Sequence, residues 1–247
     1  MTPLEFAILR VLVNLIIVVL TLLIARTIWG NYKTTHQTAS LMLFIYMILL
    51  FVAYSEQALI VILKYKKIIM VGSQAHLMLS GICFIVGTGI AAAAATVFAI
   101  LILRPRHTKV FCIPPILMAI AHSLIWAIFG QTPLPAGKGV VEWFPSLPLK
   151  GSVIAMAIMA FVPAVFFLVY GIKTPTFRQK VSGITLGIGF LTLGYFVFIS
   201  DNFSIAPSIL YRRICIALGV FVVYLGFVTP RWYLKLLRKE RATIEEG

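Results

Sequence analysis

The stretch VLVNLIIVVLTLLIA (Val11–Ala25) decides the class of fold, because it is apolar along almost its whole length and carries no charge. A second run of this kind, LMLFIYMILLFVA (Leu41–Ala53), follows after a short polar segment. A bilayer core about 30 Å thick is spanned by about 20 helical residues. Strands of a membrane barrel would instead alternate apolar and polar residues. Both runs therefore predict membrane-spanning helices.

Seven stretches of this kind follow one another along the chain. We predict spans at about residues 6–29, 40–63, 76–103, 111–130, 152–172, 181–200 and 210–229. The 247 residues are 61% hydrophobic and 11% charged, with a mean hydropathy of +1.04, whereas soluble domains carry about 25% charged residues. We therefore predict an all-α, multi-pass protein of the cell membrane, with a seven-helix bundle over residues 1–230 and a basic tail over residues 231–247.

Basic residues between the predicted helices favour one orientation in the membrane. Cytoplasmic loops carry an excess of Lys and Arg, and 13 of the 21 such residues would be cytoplasmic if the N-terminus were outside. These residues are Arg26, Lys33, Arg104, Arg106, Lys109, Lys173, Arg178, Lys180, Arg231, Lys235, Arg238, Lys239 and Arg241. We predict an N-terminus outside the cell and a cytoplasmic C-terminus.

The formal net charge of +14 indicates a partner of negative charge. The basic residues are spread over both ends of the predicted bundle and form no single groove, which argues against nucleic acid. Attraction to anionic lipid head groups, about 1 kcal/mol per basic residue near the surface, explains the charge more simply. We therefore predict a bilayer with anionic lipids as the partner.

Small residues spaced four apart mark two helices that a neighbour can approach closely. The faces are Gly87, Ala91, Ala95 and Ala99 in the third predicted helix, and Gly183 and Gly187 in the sixth. Close backbone packing and interhelical hydrogen bonds drive helix association in lipid. We expect a central third helix and packing of both faces within the bundle; a dimer interface or a sliding surface is the alternative.

Ionisable side chains within a predicted span are costly, and by default they mark a function or a buried pair. Glu56 lies roughly 10 Å inside the second helix at 1.5 Å per residue. Arg10 enters the first helix at similar depth, with Asn14 one turn further on. Since a short loop joins the two helices, we predict an Arg10–Glu56 ion pair with Asn14 as a hydrogen-bonding partner. The alternative is an Arg10 that reaches back to the surface and a protonated, neutral Glu56.

Further polar residues fall toward the same, outer end of the predicted bundle. His122 lies near the middle of the fourth helix, with Trp126 one turn outward, while Asp201 ends the sixth helix and Arg213 begins the seventh. Together with Glu56 they predict an outward-facing ligand or ion site. Its candidate residues are Arg10, Asn14, Glu56, His122, Trp126, Asp201 and Arg213.

One long loop, from Gly130 to Lys150, connects the fourth and fifth predicted helices. It contains four prolines, with Trp143 and Phe144 between them. Long loops in compact domains often form lids or binding loops, and Trp also favours the level of the lipid head groups. Two interpretations are open: a lid over the outward cavity, or an interfacial anchor.

The sequence contains no pattern that predicts a catalytic centre, a cofactor or a metal. Cys83, Cys112 and Cys215 form no CxxC pair, and the H-E-x-x-H motif of zinc proteases is absent. A retinal Schiff base would need a lysine in the last helix, and Ile214–Thr229 contains none. We therefore predict no catalytic residue, no cofactor and no metal site, and we favour a protein without enzymatic activity.

The last third of the chain has a characteristic order of features. It reads FFLVYGIKTPTFRQK (Phe166–Lys180), the glycine-rich GITLGIGFLTLGYFVF (Gly183–Phe198), Asp201, and RRICIALGVFVVYLGFVTPRW (Arg212–Trp232). This order resembles the seven-helix sensor modules that precede histidine kinases and related outputs in archaea and bacteria. Their last helix closes with a tyrosine, a glycine and a proline, here Tyr224, Gly226 and Pro230.

The resemblance implies that the last helix passes a signal into the cytoplasm. In such modules a signalling domain follows that helix, whereas this sequence runs on for about 17 residues after Pro230. In that stretch five basic residues interleave with Trp232, Tyr233 and three leucines. This pattern predicts a short amphipathic helix on the inner leaflet, or a segment that docks another protein.

The function expected from these features is that of a receptor-like sensor, which passes a signal from the outward-facing cavity to a separate cytoplasmic signalling partner. One alternative is a small proton- or cation-coupled transporter or channel. Another is a structural subunit that binds other membrane subunits through its small-residue faces.

Overall fold

The computed structural model describes residues 3–70, 73–103, 107–129, 131–135, 141–200 and 209–237. Within these residues, seven helices are long and apolar enough to cross a membrane. They are α1 (Pro3–Thr35), α2 (Thr38–Tyr65), α3 (Gln74–Phe84, continued by Ile85–Ile90 and Ala91–Leu103), α4 (Thr108–Phe129), α5 (Leu147–Lys173), α6 (Phe177–Leu193, continued by Gly194–Ser200) and α7 (Ile209–Val228). The middle part of α3 and the last part of α6 are π-helical.

Seven helices long enough to cross a membrane lie where the seven spans were predicted, and most of them are longer than predicted. α1 shows why, since it continues to Thr35 rather than ending near residue 29. In this last part Trp29 packs against Tyr32 with ring centroids 5.4 Å apart, and the Lys33 ammonium lies over the Trp29 ring. Amphipathic side chains of this kind suit the level of the lipid head groups. The helix therefore extends beyond the apolar run from which its end was predicted.

A short hairpin departs from the predicted all-α architecture. Between α4 and α5, strand β1 (Gln131–Pro135) pairs antiparallel with strand β2 (Val141–Pro145). Both are edge strands, where prolines are tolerated because one side of each strand needs no ladder hydrogen bond. The sequence predicted a long loop here without strands, and its roles as a lid or an anchor stay predictions.

Six helices form a closed ring, in which each contacts the next. Around the ring the order is α1, α2, α3, α5, α6 and α7, and α7 returns to α1. α4 packs on α3 and α5 and is the least buried of the seven spans. Successive helices alternate in direction. We call the end at which α1 begins the N-side and the end at which α7 ends the C-side.

The third helix is the most deeply buried span, as predicted from its small residues. All the alanines from Ala91 to Ala95, together with Ala99, are buried, and α2, α4 and α5 all pack against this helix. Four aromatic rings fill the space inside the ring of helices. Phe167 lies 5.6 Å from both Phe98 and Phe190, and Phe190 lies 5.7 Å from Tyr46, measured between centroids.

The small-residue face of α6 packs within the bundle, which confirms that expectation. A Cβ atom added to Gly183 would lie 2.7 Å from the Cα of Gly171 in α5. One added to Gly187 would lie 2.9 Å from the backbone nitrogen of Leu168, also in α5. On another side of α6, one added to Gly189 would lie 2.9 Å from the backbone nitrogen of Val223 in α7. All three distances are too short for a real Cβ, so the three helix backbones approach each other through glycine.

Candidate functional site

A chain of hydrogen bonds connects α7, α2 and α3 in the N-side half of the bundle. Arg213 is only 4% exposed, and its Nη2 donates to Oε1 of Gln57 at 2.9 Å. The Gln57 amide donates in turn to Sγ of Cys83 at 3.2 Å, and this thiol donates to the carbonyl of Ala53 at 3.2 Å. The Arg213 guanidinium also lies 5.5 Å from the centroid of the Tyr54 ring. We call this set the Arg213 network.

The predicted ion pair between Arg10 and Glu56 is not among the contacts of the described residues. Oε2 of Glu56 is buried without a hydrogen-bonding partner in that part of the chain. Depth and adjacency place the two residues at one level, but they do not determine how α2 is rotated about its axis. One residue corresponds to about 100° of rotation. Gln57 is the side chain that contacts α3 and α7.

Asn14 is buried, and its predicted hydrogen bond to the Arg10–Glu56 pair is not found among the described residues. It is 0% exposed, and among the described residues neither its amide nitrogen nor its amide oxygen has a hydrogen-bonding partner. An unsatisfied buried amide costs about 1–3 kcal/mol. An apolar side chain at this position of α1 would avoid that cost, so packing alone does not explain why Asn14 is there.

A second network surrounds His122, which is 0% exposed. Its Nε2 lies 3.1 Å from Oγ1 of Thr88 in α3, and its Nδ1 lies 2.9 Å from Oγ of Ser152 in α5. The Thr88 hydroxyl also contacts the carbonyl of Phe84, and the ring of Phe84 stacks on the imidazole with centroids 5.0 Å apart. The Ser152 hydroxyl also lies 2.8 Å from the carbonyl of Leu149. These residues form the His122 network.

Two glycines of α3 make room for the side chains of His122 and Trp126 on α4. A Cβ on Gly81 would lie 1.9 Å from the Trp126 ring, and one on Gly89 would lie 3.0 Å from the His122 ring. Trp126 and His122 are one turn apart on α4, so both point toward α3. No hydrogen-bonding partner for the indole N–H of Trp126 is found among the described residues.

The π-helical part of α3 and the turn before it lie between the two networks. Cys83 belongs to the Arg213 network, whereas Phe84 and Thr88 belong to the His122 network. Gly87 faces α2, since a Cβ there would lie 3.0 Å from that of Ala53. Short π-helical segments within α-helices are frequent at functional sites. This part of α3 is shared by the Arg213 network, which joins α3 to α2 and α7, and by the His122 network, which joins α3 to α4 and α5.

Of the predicted site residues, the structure brings Arg213 into one network and His122 and Trp126 into another region around α3. Asp201 lies outside the described residues. Gln57, Thr88, Cys83 and Ser152 were not among the predicted site residues. Gln57 could have been recognised from the sequence because it lies directly beside Glu56. A single hydroxyl within an apolar run gives no comparable indication of a site.

Glu56 and His122 share no contact and no common cavity in the part of the chain that the structure describes. A groove of about 750 Å³ lies instead at the C-side, where the α1–α2 connection meets the end of α3 and the start of α4. Its walls include His36, Gln37, Thr38, Leu101 and Thr108. Within the described residues, no group of three His, Cys, Asp or Glu side chains is arranged to hold a metal ion.

Seven helices that are long and apolar enough to cross a membrane, with buried polar networks between them, define a multi-pass helical membrane protein. No protein-family model, no curated protein and no solved structure matches the chain. The resemblance to sensor modules therefore rests on the residues of the last three helices alone.

Proposed function

We propose that this chain is a receptor-like membrane sensor, with the N-side outside the cell and the C-side in the cytoplasm. The observation that carries the proposal is the position of α7. Its first turn holds the buried Arg213 network, and its last turn leads directly into an exposed basic segment. One helix thus connects a polar site at one end of the bundle with a docking surface at the other.

The basic segment begins directly after α7. Residues 231–237 form a short helix, α8, which follows Thr229 and Pro230. The backbone of Thr229 has φ at 41°, which is unusual for a β-branched residue. The Tyr233 hydroxyl lies 2.9 Å from that of Thr185 in α6. A shift of α7 relative to α6 would therefore strain the attachment of α8.

The free face of α8 has the chemistry of an interaction surface. Trp232 is 58% exposed, and Leu236, one turn on, is also exposed. Arg231 and Lys235 form a neighbouring exposed pair with the same spacing. Anionic lipid head groups or an acidic surface of a separate signalling protein would complement this face.

We expect a Gln57→Leu variant to loosen α8 at the far end of the molecule. Leucine cannot accept from Arg213 or donate to Cys83, so the hydrogen bonds that join α2 to α7 and to α3 through Gln57 are lost. If α7 couples the two ends, amide exchange in residues 229–237 should rise at least about fivefold, the lower end of typical allosteric coupling. Hydrogen exchange with mass spectrometry on the full chain in nanodiscs measures this.

The matched control for that experiment is Gln74→Leu, which makes the same substitution at an exposed position where α3 begins. It should leave exchange in α8 unchanged. Exchange in α8 that is identical in Gln57→Leu and Gln74→Leu would contradict a sensor that signals through α7.

A proton- or cation-coupled transporter is the second candidate, because one carboxylate oxygen of Glu56 is buried without a hydrogen-bonding partner in the described residues. Such a group can take up a proton or a cation. For a proton or cation to pass through the bundle, the packed aromatic rings between α2, α3, α5 and α6 would have to separate. The structural-subunit alternative draws no support from α6, since its small-residue face is used inside the bundle.

Ion flux separates the two candidates. If the chain transports protons, proteoliposomes under a pH gradient should show protein-dependent proton uptake, and Glu56→Gln should abolish it because an amide cannot carry the proton. The sensor proposal predicts no uptake above that of empty liposomes for either protein. A pH-sensitive dye enclosed in the liposomes reports the result.

A further inference from the structure

The His122 network contains four short contacts between polar atoms but only three hydrogens to fill them. The contacts join Nε2 to Thr88, Nδ1 to Ser152, Thr88 to the Phe84 carbonyl and Ser152 to the Leu149 carbonyl. A neutral imidazole supplies one N–H, and the two hydroxyls supply one O–H each. One contact is therefore always left without its hydrogen while His122 is neutral.

The neutral network can satisfy both ring nitrogens in two ways, one for each tautomer of His122. If Nδ1 carries the proton, it donates to Ser152, and Thr88 must turn from the Phe84 carbonyl to donate to Nε2. If Nε2 carries the proton, Ser152 must leave the Leu149 carbonyl. Each tautomer of His122 thus releases one backbone carbonyl, in α3 or in α5.

We propose that His122 is a proton-binding site and that a proton on this ring completes the network. The imidazolium donates from both ring nitrogens, so Thr88 and Ser152 both accept from it while donating to their carbonyls. Every contact then has its hydrogen. Burying a charge is costly unless hydrogen bonds compensate it, and here two acceptors do so. The stacked ring of Phe84 adds a favourable surface for a cation.

The other titratable groups on the surrounding helices lie away from the His122 ring. On α3 they are His76, close to the N-side end, and Cys83, whose thiol donates to Ala53 on the α2 side. On α5, Lys150 lies two residues before Ser152, a spacing that places side chains on different sides of a helix. On α4, Lys109 and Cys112 lie at least ten residues before His122.

Ser152 is the member of the network nearest to the start of α5 at the N-side, so we infer that protons enter from that side. Ser152 is half-buried and lies five residues after the start of α5, roughly 7.5 Å along the helix at 1.5 Å per residue. At the other end of the network, Thr88 belongs to the π-helical part of α3. Binding of the proton secures the Thr88 hydroxyl on the Phe84 carbonyl and so holds this segment. The proposal stands on the His122 network alone and does not depend on the sensor function.

The test is a titration of the full chain, labelled with ¹⁵N-histidine, in phosphatidylcholine nanodiscs. Solid-state NMR of the ring nitrogens distinguishes both neutral tautomers from imidazolium, and a His122→Asn spectrum identifies the signals of His122. We expect an imidazolium signal from His122 to grow as the pH is lowered toward about 5, the lower end of the range in which histidine titrates.

Two variants and a control connect the signal to the network. In Thr88→Val and in Ser152→Ala the imidazolium loses one acceptor, so its fraction at a given pH should fall by about threefold to tenfold, the worth of one hydrogen bond. Ser123→Ala should match the wild type, because this neighbouring hydroxyl bonds only to the Ala119 carbonyl of its own helix. A wild-type His122 that stays neutral at pH 5 would overturn the proposal. So would equal imidazolium fractions in all three variants.

Discussion

A Gly183→Ala substitution is expected to lower the free energy of unfolding by about 1–3 kcal/mol, the usual cost of overpacking. The new methyl carbon would lie 2.7 Å from the Cα and 2.8 Å from the nitrogen of Gly171, and 3.1 Å from the carbonyl oxygen of Phe167. All three are backbone atoms, which cannot move aside as the end of a side chain can. α5 and α6 would have to separate along this contact.

Gly151→Ala is the matched control, because a Cβ at this position of α5 has no neighbour within 4 Å in the described part of the chain. Alanine has a higher helix propensity than glycine by about 1 kcal/mol, so this variant should be as stable as the wild type or slightly more so. Thermal unfolding in detergent, followed by circular dichroism, compares them. If Gly183→Ala unfolds at the temperature of Gly151→Ala, the close approach of α5 and α6 is wrong.

The second large effect is expected for His122→Ala, which should cost about 2–4 kcal/mol. The substitution removes a buried ring, which leaves a cavity, and it takes one partner each from Thr88 and Ser152. It also removes the ring that stacks on Phe84. Because this histidine joins α3, α4 and α5, the loss should fall on the contact of α4 with the rest of the bundle.

Ser123→Ala provides the comparison for His122→Ala, since it changes the adjacent residue of α4 but removes only a bond within that helix. Hydrogen exchange in α4 should rise in His122→Ala and remain at the wild-type level in Ser123→Ala. The same small change in stability for both variants would mean that His122 does not hold α4 against α3 and α5.

Position along a helix was predictable from the sequence, and rotation about the helix axis was not. Glu56 was correctly expected at depth in α2, and Arg213 at the start of α7. The contact between these helices is nevertheless made by Gln57, the residue next to Glu56. The Arg10–Glu56 pair required that a particular side of α2 face α1, and only the packing of all neighbours sets that angle.

Some polar residues of these helices can be recognised as site residues from the sequence, whereas others can be recognised only in the structure. His122 stands out in a sequence because a histidine in an apolar run has to be explained. Thr88 and Ser152 do not, because a hydroxyl can satisfy itself on a carbonyl of its own helix at no visible cost, as Thr21 does with Ile17. Whether such a hydroxyl also serves a neighbouring helix is visible only once the helices are assembled.

The sequence by itself determined the seven crossings, the buried course of the third helix and the close approach of the sixth to its neighbours. These follow from the length of apolar runs and from the absence of side chains, which act locally along the chain. The tertiary structure alone decided the π-helical segment of α3, the hairpin between α4 and α5, and the partners of Arg213 and His122. Each depends on which sides of several helices meet, and lipid, being equally apolar all round, does not distinguish one side of an apolar helix from another.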